Sequence, residues 1–198
     1  TASAVVIPGN HDATHAAQLI GEAAGVPGLG RPLAGGQGKR LGLLVEAIAP
    51  HELGAYSLHT VQAPDDEGVT VIAGRPHSMG GPSLAFAPHL KARWGVGSLE
   101  ESAETLKGLV DAAPTRRLVF AAHNGPTGLG DQPADIWGCD FKKGGGDWGD
   151  PDLRAAIDYA QSTGRRVLAV VAGHMHRRAR SGAQRPWKVE RDGVLYIN

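Results

Sequence analysis

Three short segments hold the residues best suited to chemistry: Gly9-Asn10-His11-Asp12, His123-Asn124-Gly125 and Gly173-His174-Met175-His176. Each directly follows an apolar run of strand length, at residues 4–7, 118–122 and 167–172. Loops at the carboxyl ends of strands are where α/β folds place ligands. Four of the nine histidines fall in these three places, so the ring nitrogens are gathered rather than scattered. Imidazole nitrogen and amide oxygen are borderline-to-hard ligands that suit Zn, Mn, Fe or Co. In His174-Met175-His176 two rings one residue apart can reach two separate metals, and Gly173 lets the backbone turn close to them. An Asn beside a His is a poor choice for a structural zinc finger. The pattern points to a metal site that does chemistry.

Each fragment alone has a plainer reading. A single His after a strand is more often a hydrogen-bonded core or surface residue. Asn10 alone is a turn residue, and Asp12 is a helix N-cap. The three segments together, in this order and each at a strand end, favour the metal reading. Other candidates are weaker. His11-Asp12-Ala13-Thr14-His15 imitates the His-Glu-x-x-His zinc motif, but Asp shortens the base and Gly9-Asn10 puts His11 at a helix start. His15 then reads as a helix-surface residue. Residues 35–40, Gly-Gly-Gln-Gly-Lys-Arg, lack the leading Gly and the Ser/Thr of a P-loop. Arg177, Arg178, Arg180 and Arg185 read as a solvated basic face, with Arg177 and Arg178 near enough to the histidine loop to meet a phosphate. Met175 reads as packing, and Cys139 and the four tryptophans as core or loop anchors.

The elements that must position these segments alternate as strand, loop and helix. Residues 13–24 form an Ala-rich helix after Asp12, ended by Gly25 and Pro27. Residues 28–38 are a Gly-rich loop. Residues 39–49 carry helical spacing at Leu41, Leu44, Val45 and Ile48. Residues 56–63 and 69–74 form a hairpin about a turn at 64–68. A short helix is expected within 83–94. Ser98 caps a helix over 99–112, with Glu101 closing a capping box. Pro151 sits in the first turn of a helix running to Thr163. Residues 187–191 and 194–197 form a hairpin turned by Asp192-Gly193. The stretch 125–150, dense in Gly, Asp and Trp, reads as a functional loop. It is expected to pack over the cleft, with Asn124 as the polar contact to substrate. The fold class is α/β with mixed sheets.

With 198 residues, 41% of them hydrophobic, the chain reads as one soluble domain spanning 1–198. Twenty basic residues balance twenty acidic ones, which leaves no net field for nucleic acid or a membrane. No apolar run approaches the ~18 residues that span a bilayer. The single cysteine, Cys139, permits no intrachain disulfide and fits a reducing compartment. Oligomeric state is not legible.

The order Gly-Asn-His-Asp, strand-end His, Gly-His-x-His resembles the second half of the calcineurin-like metallophosphoesterase signature, over residues 5–176. Residues 74–88 and 123–153 also resemble a cyanobacterial and plastid subgroup. The resemblance implies a four-layer α/β/β/α sandwich of two mixed sheets. It implies two divalent metal ions (Mn, Fe, Zn or Co) in a cleft, and a bridging hydroxide that hydrolyses phosphate mono- or diesters. Asn10, His123 and His174 match ligands of one metal, and His176 matches a ligand of the other. His11 matches the histidine that contacts the phosphate and protonates the leaving oxygen. The family's opening Asp-x-His and Gly-Asp have no counterpart in residues 1–8. The expectation is therefore a domain missing its N-terminal strands and incomplete at both ends, binding at most one metal weakly and with negligible turnover. Asp131, Asp140, Asp147 and Asp150 are the internal carboxylates able to substitute. A catalytically inactive scaffold of the same fold is the alternative; such scaffolds lose the Asn-His histidine, whereas His11 is present. The cytoplasm or the plastid stroma is the expected location, with no targeting segment visible.

Overall fold

Six strands form one mixed sheet in the computed structural model, which describes residues 4–26, 36–62 and 67–198. The strands in chain order are β1 (Val5–Val6), β2 (Glu52–Leu53), β3 (Ser57–Val61), β4 (Val69–Ala73), β5 (Arg117–Asn124), β6 (Arg166–Gly173), β7 (Lys188–Arg191) and β8 (Val194–Ile197). The helices are α1 (Ala16–Ala23), α2 (Gln37–Ile48), α3 (Ala87–Trp94), α4 (Leu99–Ala112) and α5 (Pro151–Ser162). The large sheet runs β3-β4-β5-β6-β8-β7. Its four inner strands are parallel, and the edges β3 and β7 are antiparallel to their neighbours. β1 and β2 form a separate parallel pair. The architecture is α/β with a mixed sheet, as the alternation of strand and helix patterns implies.

Strand alternation decides which residues enter the core. On β5, Leu118, Phe120 and Ala122 point to one face, where they meet Leu106 and Val110 of α4 and Leu153, Ala156 and Ile157 of α5. Val167, Val170 and Ala172 of β6 and Val194 and Tyr196 of β8 extend the same core. Period two then sends His123 to the opposite face from Ala122 and Asn124. Met175 packs into this core too.

Several boundaries differ from the sequence reading, each for a local reason. α1 begins at Ala16, and its N-cap is His15: Nδ1 accepts from Ala17 N–H while Gln18 Oε1 accepts from His15 N–H. Asp12 does not cap it; its carboxylate accepts from Gly9 N–H at 2.8 Å. Residues 13–15 are kept out of the helix because Ala13 has φ +61° and Thr14 Oγ1 donates to the Asn10 carbonyl. Ser98 does cap α4, accepting from Glu101 N–H, but Glu101 caps Gly97 N–H instead of closing a box on Ser98. The β7–β8 hairpin turns through Asp192 (φ +52°) and Gly193 (φ +72°), both left-handed as a two-residue turn requires. Most of the expected loop at 28–38 and of the turn at 64–68 lies outside the described residues. No helix among the described residues is long and apolar enough to cross a membrane.

Candidate metal centre

Parallel pairing of β5 and β6 sets Asn124 opposite Gly173, so the segments that follow these strands emerge side by side. His123 Nε2 lies 3.1 Å from His174 Nδ1 and 2.9 Å from Asn10 Oδ1. The two rings stand 5.0 Å apart at 70°. Two features of the backbone make this approach possible. Gly9 lies flat against the His123 ring, where a Cβ would come within 2.6 Å of Cε1. His174 occupies the centre of a three-residue turn, φ +71°, closed by Met175 N–H donating to the Gly173 carbonyl at 2.9 Å. Such γ-turns are rare and strained, and strain of this kind collects at functional sites.

Three ligand-type atoms converge here. Asn10 Oδ1 is an acceptor only. His174 Nδ1, which faces His123, is a donor in one neutral tautomer and an acceptor in the other. In the tautomer that leaves it a lone pair, the one hydrogen His123 Nε2 can carry faces two acceptors. Both imidazoles stay neutral at ordinary pH: burial, then the neighbouring His174 ring, pushes His123 down to about 4, and burial pushes His174 down to about 4. Neutral imidazole is the metal-ligating form. Metal–ligand bonds of about 2.1 Å put adjacent ligand atoms about 3.0 Å apart around an octahedral ion. The observed spacings match that edge length, so the set fits a divalent ion.

A cleft of about 640 Å³ opens over these atoms and is lined by Asn10, His11, His123, His174 and His176. His11 and His176 are exposed on its walls. The long loop contributes Asp140, Phe141, Lys142 and Trp148 to the same cleft. Asn124 is placed elsewhere than expected. Its side chain is fully buried on the core face of β5, where Nδ2 donates to the Trp148 carbonyl at 3.0 Å and Asp150 Oδ1 at 3.3 Å. That Asp150 carboxylate belongs to a buried network in which Arg75 binds Asp150 and Asp152, each at 2.8 Å, and Ser78 donates to Asp150 at 2.6 Å. Burial pushes the Asp150 carboxyl upward against the pull of Arg75, and the like charge of Asp152 pushes it the same way.

The loop carboxylates do not complete the metal site. Asp147 accepts from Gly128 and Gly149 N–H, Asp140 from Arg185 and Arg180 N–H, and Asp131 from Gln132. Among the described residues, no three His, Cys, Asp or Glu side chains gather at metal-binding distance. Arg185 departs from the expected solvated face. It is buried, paired with Asp140 at 3.0 Å, and its Nε donates to the His176 carbonyl at 3.1 Å. Trp187 is exposed rather than anchored, whereas Trp137 and Cys139 are buried.

Sequence reasoning missed His77. It is fully buried with φ +57°, and its Nδ1 lies 2.9 Å from the Gly9 carbonyl. Its place in Arg75-Pro76-His77-Ser78, just past the end of β4, was the available signal. A second hollow of about 690 Å³ lies at the other ends of β5 and β6, among Arg116, Arg117, Arg165 and Arg166. Arg165 donates to carbonyls of Asp111 and Ala113, and Arg116 to that of Gly164. These arginines satisfy the C-terminal ends of α4 and α5.

Comparison with family models, with curated proteins and with solved structures found no match.

Proposed function

We propose that this chain acts as a metal-dependent phosphoesterase, in which Asn10, His123 and His174 hold a divalent ion. The observation that carries this reading is the convergence of one amide oxygen and two neutral imidazole nitrogens, with His123 Nε2 lying 2.9 Å from Asn10 Oδ1 and 3.1 Å from His174 Nδ1. A divalent pair in such a site polarises phosphoryl oxygens and supplies hydroxide at neutral pH. The chain's own residues bind and orient around it. His11, next to Asn10 and exposed on the cleft wall, is placed to give a proton to a leaving oxygen. His176, on the same wall, is the candidate ligand toward a second ion. That ion and a bridging carboxylate would require groups other than those described, since the loop aspartates are committed elsewhere.

The layer structure supports the same reading. Across the sheet, Val71-Val119-Ala169-Leu195 and Ala73-Ala121-Val171-Ile197 form two apolar rows on the face opposite α4 and α5. Val171 is 43% exposed there. β1 and β2 begin to cover one corner, where Gly54 lies against Val5, Ile7 and Ala73. A sheet apolar on both faces fits the inner layer of a four-layer sandwich whose second sheet starts with β1 and β2.

One observation favours a second reading, a non-catalytic module of the same fold: no described carboxylate joins the three donors. The deciding experiment is titration of the chelator-treated chain with Mn²⁺ and Zn²⁺, alongside monoester and diester assays. Binding that is lost in both His123→Ala and His174→Ala supports the metal centre. Unchanged binding in either variant overturns it. Metal binding without turnover favours the non-catalytic module.

A further inference from the structure

We propose that the cleft takes an organic phosphate carrying a flat aromatic ring and more than one negative charge, the combination found in a nucleoside diphosphate. This rests on the reading that Asn10, His123 and His174 hold the ion meeting one phosphate. Size is the first observation. A cleft of about 640 Å³ is in the range of sites for whole organic ligands, far more than a phosphate group fills.

The apolar side of the cleft offers one open aromatic face. Trp148 is fixed: its Nε1 donates to the Met79 carbonyl at 2.9 Å, and Gly81 lies on its ring, where a Cβ would come within 2.8 Å of Cε2. Lys142 Nζ sits 4.1 Å from the same ring's centroid. Trp148 therefore serves as a support. Phe141 meets it edge-on, 5.3 Å away at 84°, and remains 39% exposed. An exposed Phe braced by an anchored Trp is a stacking platform, and a planar heterocycle is what such a platform holds.

Charge supplies the second feature. Lys142, Arg178 and Arg180 line the cleft, and none of their side chains is ion-paired to a carboxylate among the described residues. Asp140 is neutralised by the buried Arg185 guanidinium and by Arg180 N–H. The other acid in the lining, Glu22, is outnumbered by Lys142, Arg178 and Arg180, and burial pushes its carboxyl upward. The cleft is thus cationic in a chain of zero net charge. One phosphate on the metal leaves these side chains without an anionic partner; a second phosphate gives them one.

The test is isothermal titration of the metal-free 198-residue chain with ADP, AMP and glycerol 2-phosphate, with circular dichroism to check folding of each variant. Affinity is expected in the order ADP, AMP, glycerol 2-phosphate. Phe141→Ala should weaken ADP and AMP about tenfold and leave glycerol 2-phosphate unchanged. Arg178→Gln with Arg180→Gln should close the gap between ADP and AMP. Equal affinities for the three probes, or a Phe141→Ala variant that binds nucleotides as well as the parent, overturns the proposal. Assays with Mn²⁺ separate this inference from the reading beneath it. Phe141-dependent nucleotide binding with no metal-dependent hydrolysis leaves the inference standing and removes the phosphoesterase. Hydrolysis of simple esters with no Phe141 effect does the reverse.

Discussion

His77 Nδ1 lies 2.9 Å from the carbonyl oxygen of Gly9, and the His77 backbone N–H lies 2.9 Å from that of Pro8. One buried residue thus holds both carbonyls that precede Asn10. Asp12 takes the Gly9 N–H from the other side. The loop that presents Asn10 Oδ1 is set by these bonds rather than by a regular element.

His77→Ala removes a buried ring and its hydrogen bond, which should cost about 2–4 kcal/mol of stability. It should also weaken Mn²⁺ or Zn²⁺ binding about tenfold, as loss of an orienting partner does. His77→Asn, which tolerates the left-handed backbone, should recover part of both. Urea unfolding and metal titration read the two effects separately. A stability loss with parental metal affinity would make His77 a core residue and nothing more.

Gly9→Ala tests the floor of the site. The added Cβ would stand 2.6 Å from His123 Cε1 and 2.9 Å from Nδ1, so the ring must turn. Overpacking of this kind costs about 1–3 kcal/mol. Metal affinity should fall by more than that cost accounts for, because the His123 nitrogen leaves the Asn10–His174 line. Parental affinity in Gly9→Ala would show that ring orientation does not matter.

The sheet was legible because β4, β5 and β6 are apolar runs, although β5 continues through His123 and Asn124 and β6 through Gly173, residues that the sequence reading placed after the strands. The gathering of His123 and His174 followed from the same signal, since adjacent parallel strands deliver their carboxyl ends together. Asn124 was misplaced although the signal existed: period two on β5 puts it with Ala122, facing the core, and not with His123. The start of α1 was misread because Ala-rich sequence has high helix propensity, while Ala13 is held left-handed by the loop that carries Asn10. His77 and Arg185 could not be read locally. Their partners, Gly9 and Asp140, are distant in the chain, and only the closed fold shows which buried polar groups pair.

Acid should destabilise the metal-free chain in a window set by the site imidazoles. Burial holds folded His123 and His174 near 4, below the ordinary 6.5, and burial lowers His89 to about 4 as well. Between these values the unfolded chain takes up protons that the folded chain refuses. Their contribution is present above about 6.5 and lost as pH falls toward 4, with a ceiling on the order of 3 kcal/mol per deeply buried ring. Asp150 opposes this, because its raised carboxyl favours the folded state at lower pH. Denaturant melts from pH 7 to 4.5 should show net loss, a flatter profile in His174→Gln and a steeper one in Asp150→Asn. A His174→Gln profile identical to the parent's would mean the ring is not held neutral by the fold.

Asn10→Asp separates a metal site from a hydrogen-bond chain. Asn10 is buried, with Oδ1 2.9 Å from His123 Nε2, so a carboxylate of nearly the same shape fits the same place. The present donor set is neutral; the Asp12 carboxylate acts on His123 from nearby but is held by Gly9 N–H. A carboxylate in place of Asn10 supplies a counter-charge at bonding distance, where attraction is large even at an effective dielectric near 20. Affinity for Mn²⁺ should rise at least about tenfold, a gain of roughly 1.4 kcal/mol. Saturating Mn²⁺ should then raise the melting temperature more in Asn10→Asp than in the parent, since a ligand that binds only the folded state stabilises it by mass action. Without metal the same substitution should act in the other direction, because a buried carboxylate lacks compensation until His123 or His174 protonates; their pKa values then rise and the acid loss described above shrinks. Asn10→Ala serves as the control, with weaker metal binding and no gain at low pH. If Asn10→Asp stabilises the chain only in acid and binds Mn²⁺ no better than the parent, then the three atoms share a proton and hold no ion.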